Sequence, residues 1–163
     1  MAVEDKYVDT NAAANDLVPA PQDGAETISM VKTFEVAAAD DDGSVYRVFK
    51  GVPGDLVPFD IKVTNDAITS GDDYDFGIYE ADLGAVKDKD ALADGIDMSS
   101  ARVEGAGASL LVTVGQSDAE KKIFELAGDS ATSRKQAYDL ALTANTVGSA
   151  AGTITVKATF IKP

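Results

Sequence analysis

The chain has 163 residues, a length that suits one domain, and its 14 glycines and many alanines predict a core lean in large side chains. It contains no cysteine and no histidine, which removes disulfides, thiolate zinc sites, cysteine nucleophiles, Ser-His-Asp triads and ordinary transition-metal sites. The formal charge of −14 is carried by residues 1–100, with 22 acidic against 7 basic side chains, whereas residues 101–163 hold 6 against 7. Such a chain repels DNA, RNA and anionic lipid, so neither direct nucleic-acid binding nor membrane contact is expected.

Residues 1–27 combine Ala, Asn, Asp, Pro and Gly with few large apolar side chains, so they read as an extended or flexible arm ahead of one β-rich domain over residues 28–163. The first sixteen residues lack a basic region and an apolar core and do not resemble a secretory signal. No later run approaches the ~20 apolar residues of a membrane span. From Ile28 the pattern tightens: Ile28, Met30, Phe34 and Val36 share one parity, with Lys32 as the exception, and 28–37 is predicted as a strand.

The run Asp40-Asp41-Asp42-Gly43 has the residues that solvated hairpin turns select. Neither it nor Asp72-Asp73-Tyr74-Asp75 has the register of an EF-hand loop, which needs Gly at the sixth and Glu at the twelfth position. Next, VYRVFKGV ends at Pro53-Gly54, a pair that favours a type II turn, and Val57, Phe59, Ile61 and Val63 alternate with Pro58, Asp60, Lys62 and Thr64. The two runs predict a hairpin with Val57, Phe59, Ile61 and Val63 on its buried face. Asn65-Asp66 and Ser70 to Asp73 break the pattern, and YDFGIY resumes it with Tyr74, Phe76 and Ile78 on one face.

Residues 80–100 carry Asp82, Asp88, Asp90, Asp94 and Asp97. Paired carboxylates become catalytic when a pocket splits their pKa values, and this hydrophilic run reads instead as a turn or interface segment. Asp88 is expected to cap a short helical turn through Ala91, Leu92 and Ala93, which Gly95 ends in the left-handed conformation. Farther on, Leu110 to Val114 reads as a short strand, and Ser117-Asp118-Ala119-Glu120 as the capping box of a helix with Ile123, Phe124 and Ala127 inward and Gly128 at its end. Asp129 to Lys135 reads as a loop. Tyr138, Leu140 and Leu142, then Ile154, Val156, Ala158 and Phe160, predict a closing hairpin around Gly148 to Gly152. The sum is a mainly β fold: an antiparallel β-sandwich or barrel-like domain with one short helix. No catalytic, cofactor-binding or metal-ligating residue is assigned.

The stretch PFDIKVTNDAITSGDDYDFGIYEADLGAVKDKDALADGIDMSSA, about a third of the chain, resembles head decoration (cement) proteins of Chi-like tailed siphophages. The resemblance rests on the strand ending in TND, the YDFGIY strand, Gly84-Ala85-Val86 and the Asp88 to Gly95 segment. It implies a non-enzymatic, β-rich virion protein that binds major capsid protein on the outer surface of the head, commonly as a homotrimer, after assembly in the host cytoplasm. It transfers no functional residue, because such proteins work through surfaces. Two other readings stay open: a phage tail or head-fibre subunit, and a calcium- or glycan-binding β-sandwich module. The charge partition further predicts that 101–163 and the arm supply the subunit contacts, while the Asp-rich turns at 40–43 and 72–75 face solvent.

Overall fold

The computed structural model describes residues 3–7, 18–19, 26–103 and 118–163. Two sheets face each other across the core. The first has the order β1 (Asp5–Tyr7), β4 (Ser44–Pro53), β8 (Ala137–Thr146), β6 (Asp73–Glu80), β7 (Val86–Ile96); the second runs β2 (Val18–Pro19), β3 (Glu26–Val36), β9 (Gly152–Lys162), β5 (Val57–Asn65). All pairs are antiparallel except β1 on β4. This is the sandwich that the period-two runs predict. The described parts of the N-terminal segment add edge strands to both sheets.

The inward parity holds in most strands. Ile28, Met30, Phe34 and Val36 of β3 are buried with Lys32 half-exposed, and Tyr74, Phe76 and Ile78 of β6 meet Tyr138, Leu140 and Leu142 of β8 in one core. β5 keeps its predicted parity at Ile61 and Val63 and departs from it at Val57 and Phe59. A bulge between Pro58 and Asp60 leaves Phe59 as an extra residue, so Pro58, Ile61 and Val63 point inward and Phe59 is 63% exposed.

Both predicted hairpins are replaced by sheet crossings. β4 and β5 lie in different sheets, as do β8 and β9, and the Asp40–Gly43 turn likewise carries the chain from β3 across to β4. Adjacent runs in sequence thus become layers facing each other, which lets each strand pair bury apolar faces on both sides of one core. Gly54 does not have the positive φ of a type II turn. It is required by close approach: a Cβ there would sit 2.8 Å from the Tyr138 ring and 2.9 Å from the Gln136 carbonyl.

Residues 86–96 form strand β7 and not a helical turn. Gly95 does adopt φ +64, but within an irregular strand. Opposite β6, the register steps from Phe76↔Ala93 to Ile78↔Asp88, so an advance of two residues along β6 is matched by five along β7 and the excess arches out of the ladder. The single helix described, α1 (Ile123–Leu126), buries Ile123 and Phe124 as predicted. It begins at Lys122, whose N–H donates to Glu125 Oε2 at 2.8 Å, and not at the predicted box; Ser117 lies outside the described residues. The predicted strand 110–114 also lies outside them. Within the predicted loop, Ala131–Lys135 form a turn of 3-10 helix. No described helix is long and apolar enough to cross a membrane.

Candidate functional site

The arch of β7 lies on the outer face of the first sheet. Asp75, Gly77 and Tyr79 of β6 point to that face, opposite in parity to the core residues, and a Cβ at Gly77 would overlap the main chain of Asp88 and Lys89. Glycine is therefore the side chain that lets the arch close. Beneath and beside it lies a buried polar layer.

Arg47, from β4, has no exposed side-chain surface. Its Nε and Nη2 donate to the two carboxylate oxygens of Asp5 at 3.0 and 3.1 Å. Nη1 donates to the Glu80 carbonyl at 2.8 Å and to Asp139 Oδ2 at 3.3 Å, and Nη2 donates to the Gly84 carbonyl at 2.8 Å. The guanidinium carbon stands 4.6 Å from the centre of the Tyr79 ring. Asp139 Oδ1 accepts the Gly51 N–H at 3.0 Å, so one carboxylate answers both the cation and a β-bulge. The network fixes the β6–β7 turn, whose central residues Asp82 and Leu83 both have φ near +60. Paired positive φ values define a type I′ turn, here built without glycine at either position.

A second cluster pins the far end of the arch. Asp75 is buried; its Oδ2 accepts Asn145 Nδ2 at 2.7 Å and pairs with Lys89 at 3.1 Å, and its Oδ1 accepts the Gly95 N–H at 3.1 Å. Burial pulls the Asp75 carboxyl up, but the bonds from Asn145, Gly95 and Lys89 together hold it below the usual carboxylate range.

Above the arch opens an acidic cleft of about 470 Å³, lined by Asp88, Asp90 and Asp94 with Asp118, Lys121 and Glu125. Burial, then hydrogen bonding to Asp90, raises the Asp88 carboxyl; contact with Asp75 raises that of Asp94. At acidic pH these carboxyls hold protons that an isolated aspartate has already released. No group of three or more acidic side chains among the described residues is arranged to hold a metal ion.

Of the five aspartates at 80–100, the fold gathers Asp88, Asp90 and Asp94. Asp82 sits on the turn, and Asp97 accepts from the Ser99 N–H and hydroxyl at 2.8 and 2.6 Å. The other Asp-rich turns are less solvated than predicted. Asp40 is buried and accepts the Tyr46 hydroxyl at 2.7 Å, Asp42 accepts the Val147 N–H at 2.9 Å, and Asp73 and Asp75 share Asn145. Arg47 carried no sequence signal beyond its outward parity in VYRVFKGV. Exposed apolar side chains include Phe59 at the β5 bulge and Leu83 and Val86 at the β6–β7 turn.

Geometry and fold thus define a two-sheet β-sandwich with an arched outer strand. No family model matches the chain, and no curated protein matches it. Among solved structures, it is similar in fold to a chain from the capsid of Ralstonia phage GP4, with a TM-score of 0.62 at 13% identity over 99% of each chain.

Proposed function

We propose that this chain is a structural protein of a tailed-phage virion that decorates the outer surface of the head and bridges major capsid subunits as a homotrimer, without enzymatic activity. The observation that carries the reading is the end-to-end likeness in fold to a chain from a phage capsid, which covers 99% of each chain. The resemblance of the 58–101 stretch to decoration proteins points the same way.

The mechanism is linkage. Packaged DNA pushes outward on a thin lattice, and a ligand that binds only the assembled, expanded lattice shifts the equilibrium toward that state by mass action. A ligand at one hundred times its dissociation constant contributes about 2.7 kcal/mol per site. The large negative charge keeps free copies soluble before assembly in the host cytoplasm. The test is cosedimentation of the purified chain with isolated DNA-free heads and, separately, with isolated tails. Saturable binding to expanded heads supports the reading; binding to tails alone replaces it with a tail or head-fibre role.

A further inference from the structure

Three side chains meet on the outer face of the first sheet: Asp75 of β6, Lys89 of the β7 arch and Asn145 of β8. In the sheet β6 separates β8 from β7, so Lys89 and Asn145 reach each other across it. Lys89 Nζ donates to Asn145 Oδ1 at 2.8 Å. The same ammonium stands 3.1 Å from Asp75 Oδ2, which also accepts Asn145 Nδ2 at 2.7 Å. Asp73 Oδ1 accepts that Nδ2 as well, at 3.2 Å, so two carboxylates hold the amide nitrogen and leave its carbonyl turned to Lys89. The side chain of Asp75 is 2% exposed, whereas that of Lys89 is 49% exposed. An amine beside an amide carbonyl, with a buried carboxylate touching both nitrogens, is the set of groups that amide transfer requires.

We propose that Lys89 and Asn145 join through their side chains in an isopeptide bond, with Asp75 as the catalytic acid and base. Asp75 Oδ2 takes a proton from the Lys89 ammonium, and the freed Nζ lone pair adds to Asn145 Cγ while the carbonyl π pair moves onto Oδ1. The protonated Asp75 hands its proton to Nδ2, then takes a second one from Nζ. As the Oδ1 pair returns, the Cγ–Nδ2 bond breaks and ammonia leaves, collecting that second proton from Asp75. Nζ thus gives up two protons, the departing ammonium carries both, and Asp75 ends as the carboxylate it began as. No oxidant or other co-reactant is consumed. One oxygen serves every transfer because it already touches both nitrogens. Burial of Asp75 assists the first transfer, since that step replaces a charged pair by a neutral one. The resting pair is ionised nonetheless: the hydrogen bond to Asp75 raises the Lys89 ammonium, so the bond forms slowly and not at once on folding. The solvent-open side of Lys89 gives ammonia its exit. The inference concerns the covalent structure of this chain and stands apart from the virion reading.

Intact mass of the full-length chain, freshly purified and after prolonged warming below its unfolding temperature, reads the step directly, since bond formation removes one ammonia and nothing else. The expected result is a species lighter than the sequence mass by one ammonia, growing with time. Proteolysis should then release a branched peptide in which Lys89 is joined to Asn145. Lys89→Arg keeps the positive charge and the contact with Asp75 but supplies no nucleophilic amine, so it should hold the full mass throughout. Asp75→Asn should form the lighter species about a hundredfold more slowly. If Asp75→Asn does not fold, Lys89→Arg and the peptide map still decide. Full mass in the warmed unmodified chain overturns the proposal and leaves the three side chains as a hydrogen-bonded cluster only. It is overturned equally by an ammonia loss that persists in Lys89→Arg or maps to another asparagine, or by an unchanged rate in folded Asp75→Asn.

Discussion

Arg47 is the residue on which the outer face of the first sheet depends. A buried guanidinium is tolerated when carboxylates and carbonyls replace its water, and removing one buried partner leaves an uncompensated charge. Asp139→Ala should therefore cost about 3–5 kcal/mol in urea denaturation, since it also strips the Gly51 N–H of its acceptor. Asp5, 45% exposed, is screened by solvent, and Asp5→Ala should cost about 1 kcal/mol or less. Asp75 sets a pH dependence. Its folded-state carboxyl is held below the ordinary value, so its contribution is present above about pH 4 and is lost as pH falls through the folded value. Asp88 and Asp94 run the other way: they are raised, so their contribution is present in acid and lost as pH rises past the ordinary carboxylate value. The expected result is that Asp75→Asn flattens the acid limb of a stability-against-pH curve, while Asp88→Asn steepens it. None of these roles was legible in the sequence, because which outward-facing residues become buried is decided by a distant segment that folds over them.

At the scale of elements, most strands could be read from alternation, and the irregular ones could not. Alternation reports the parity of a run only while the ladder stays in register; one extra residue at Phe59 moves the following face by one position. Phe59→Ser is therefore expected to change stability by no more than about 0.5 kcal/mol, against about 2–4 kcal/mol for Ile61→Ala, measured by thermal or chemical unfolding. Reversed costs would restore the unbulged strand. The 86–96 segment misled for a related reason. Its Asp, Ala and Gly residues suit a capped helical turn locally, yet hydrogen bonding to β6 and the Lys89–Asp75 pair decide for an arched strand. Gly77→Ala tests the arch, since the added methyl has to displace the main chain of Asp88 and Lys89. A loss of about 2 kcal/mol or more, with faster amide exchange confined to 86–96, is the expected outcome.

At the scale of the whole molecule, the charge partition in sequence does not become a partition in space. The near-neutral second part supplies β8 and β9, one inner strand of each sheet, and strands of the acidic first part flank both. Of the described residues in that second part, those of β8 are almost wholly buried. The likeness in fold to a chain from a phage capsid could not be read from composition either, because only 13% of the residues are identical. A chain beginning at Glu26 should fold with little loss of stability yet bind heads at least tenfold more weakly than the full chain.

Cryo-electron microscopy of isolated heads before and after addition of the chain tests the proposed attachment to the outside of the head. The expected result is new density of sandwich shape at symmetry-related positions on the outer surface, bridging neighbouring capsid subunits and absent from the untreated shell. Identical maps with and without saturating chain, or added density confined to the tail or the shell interior, would contradict it.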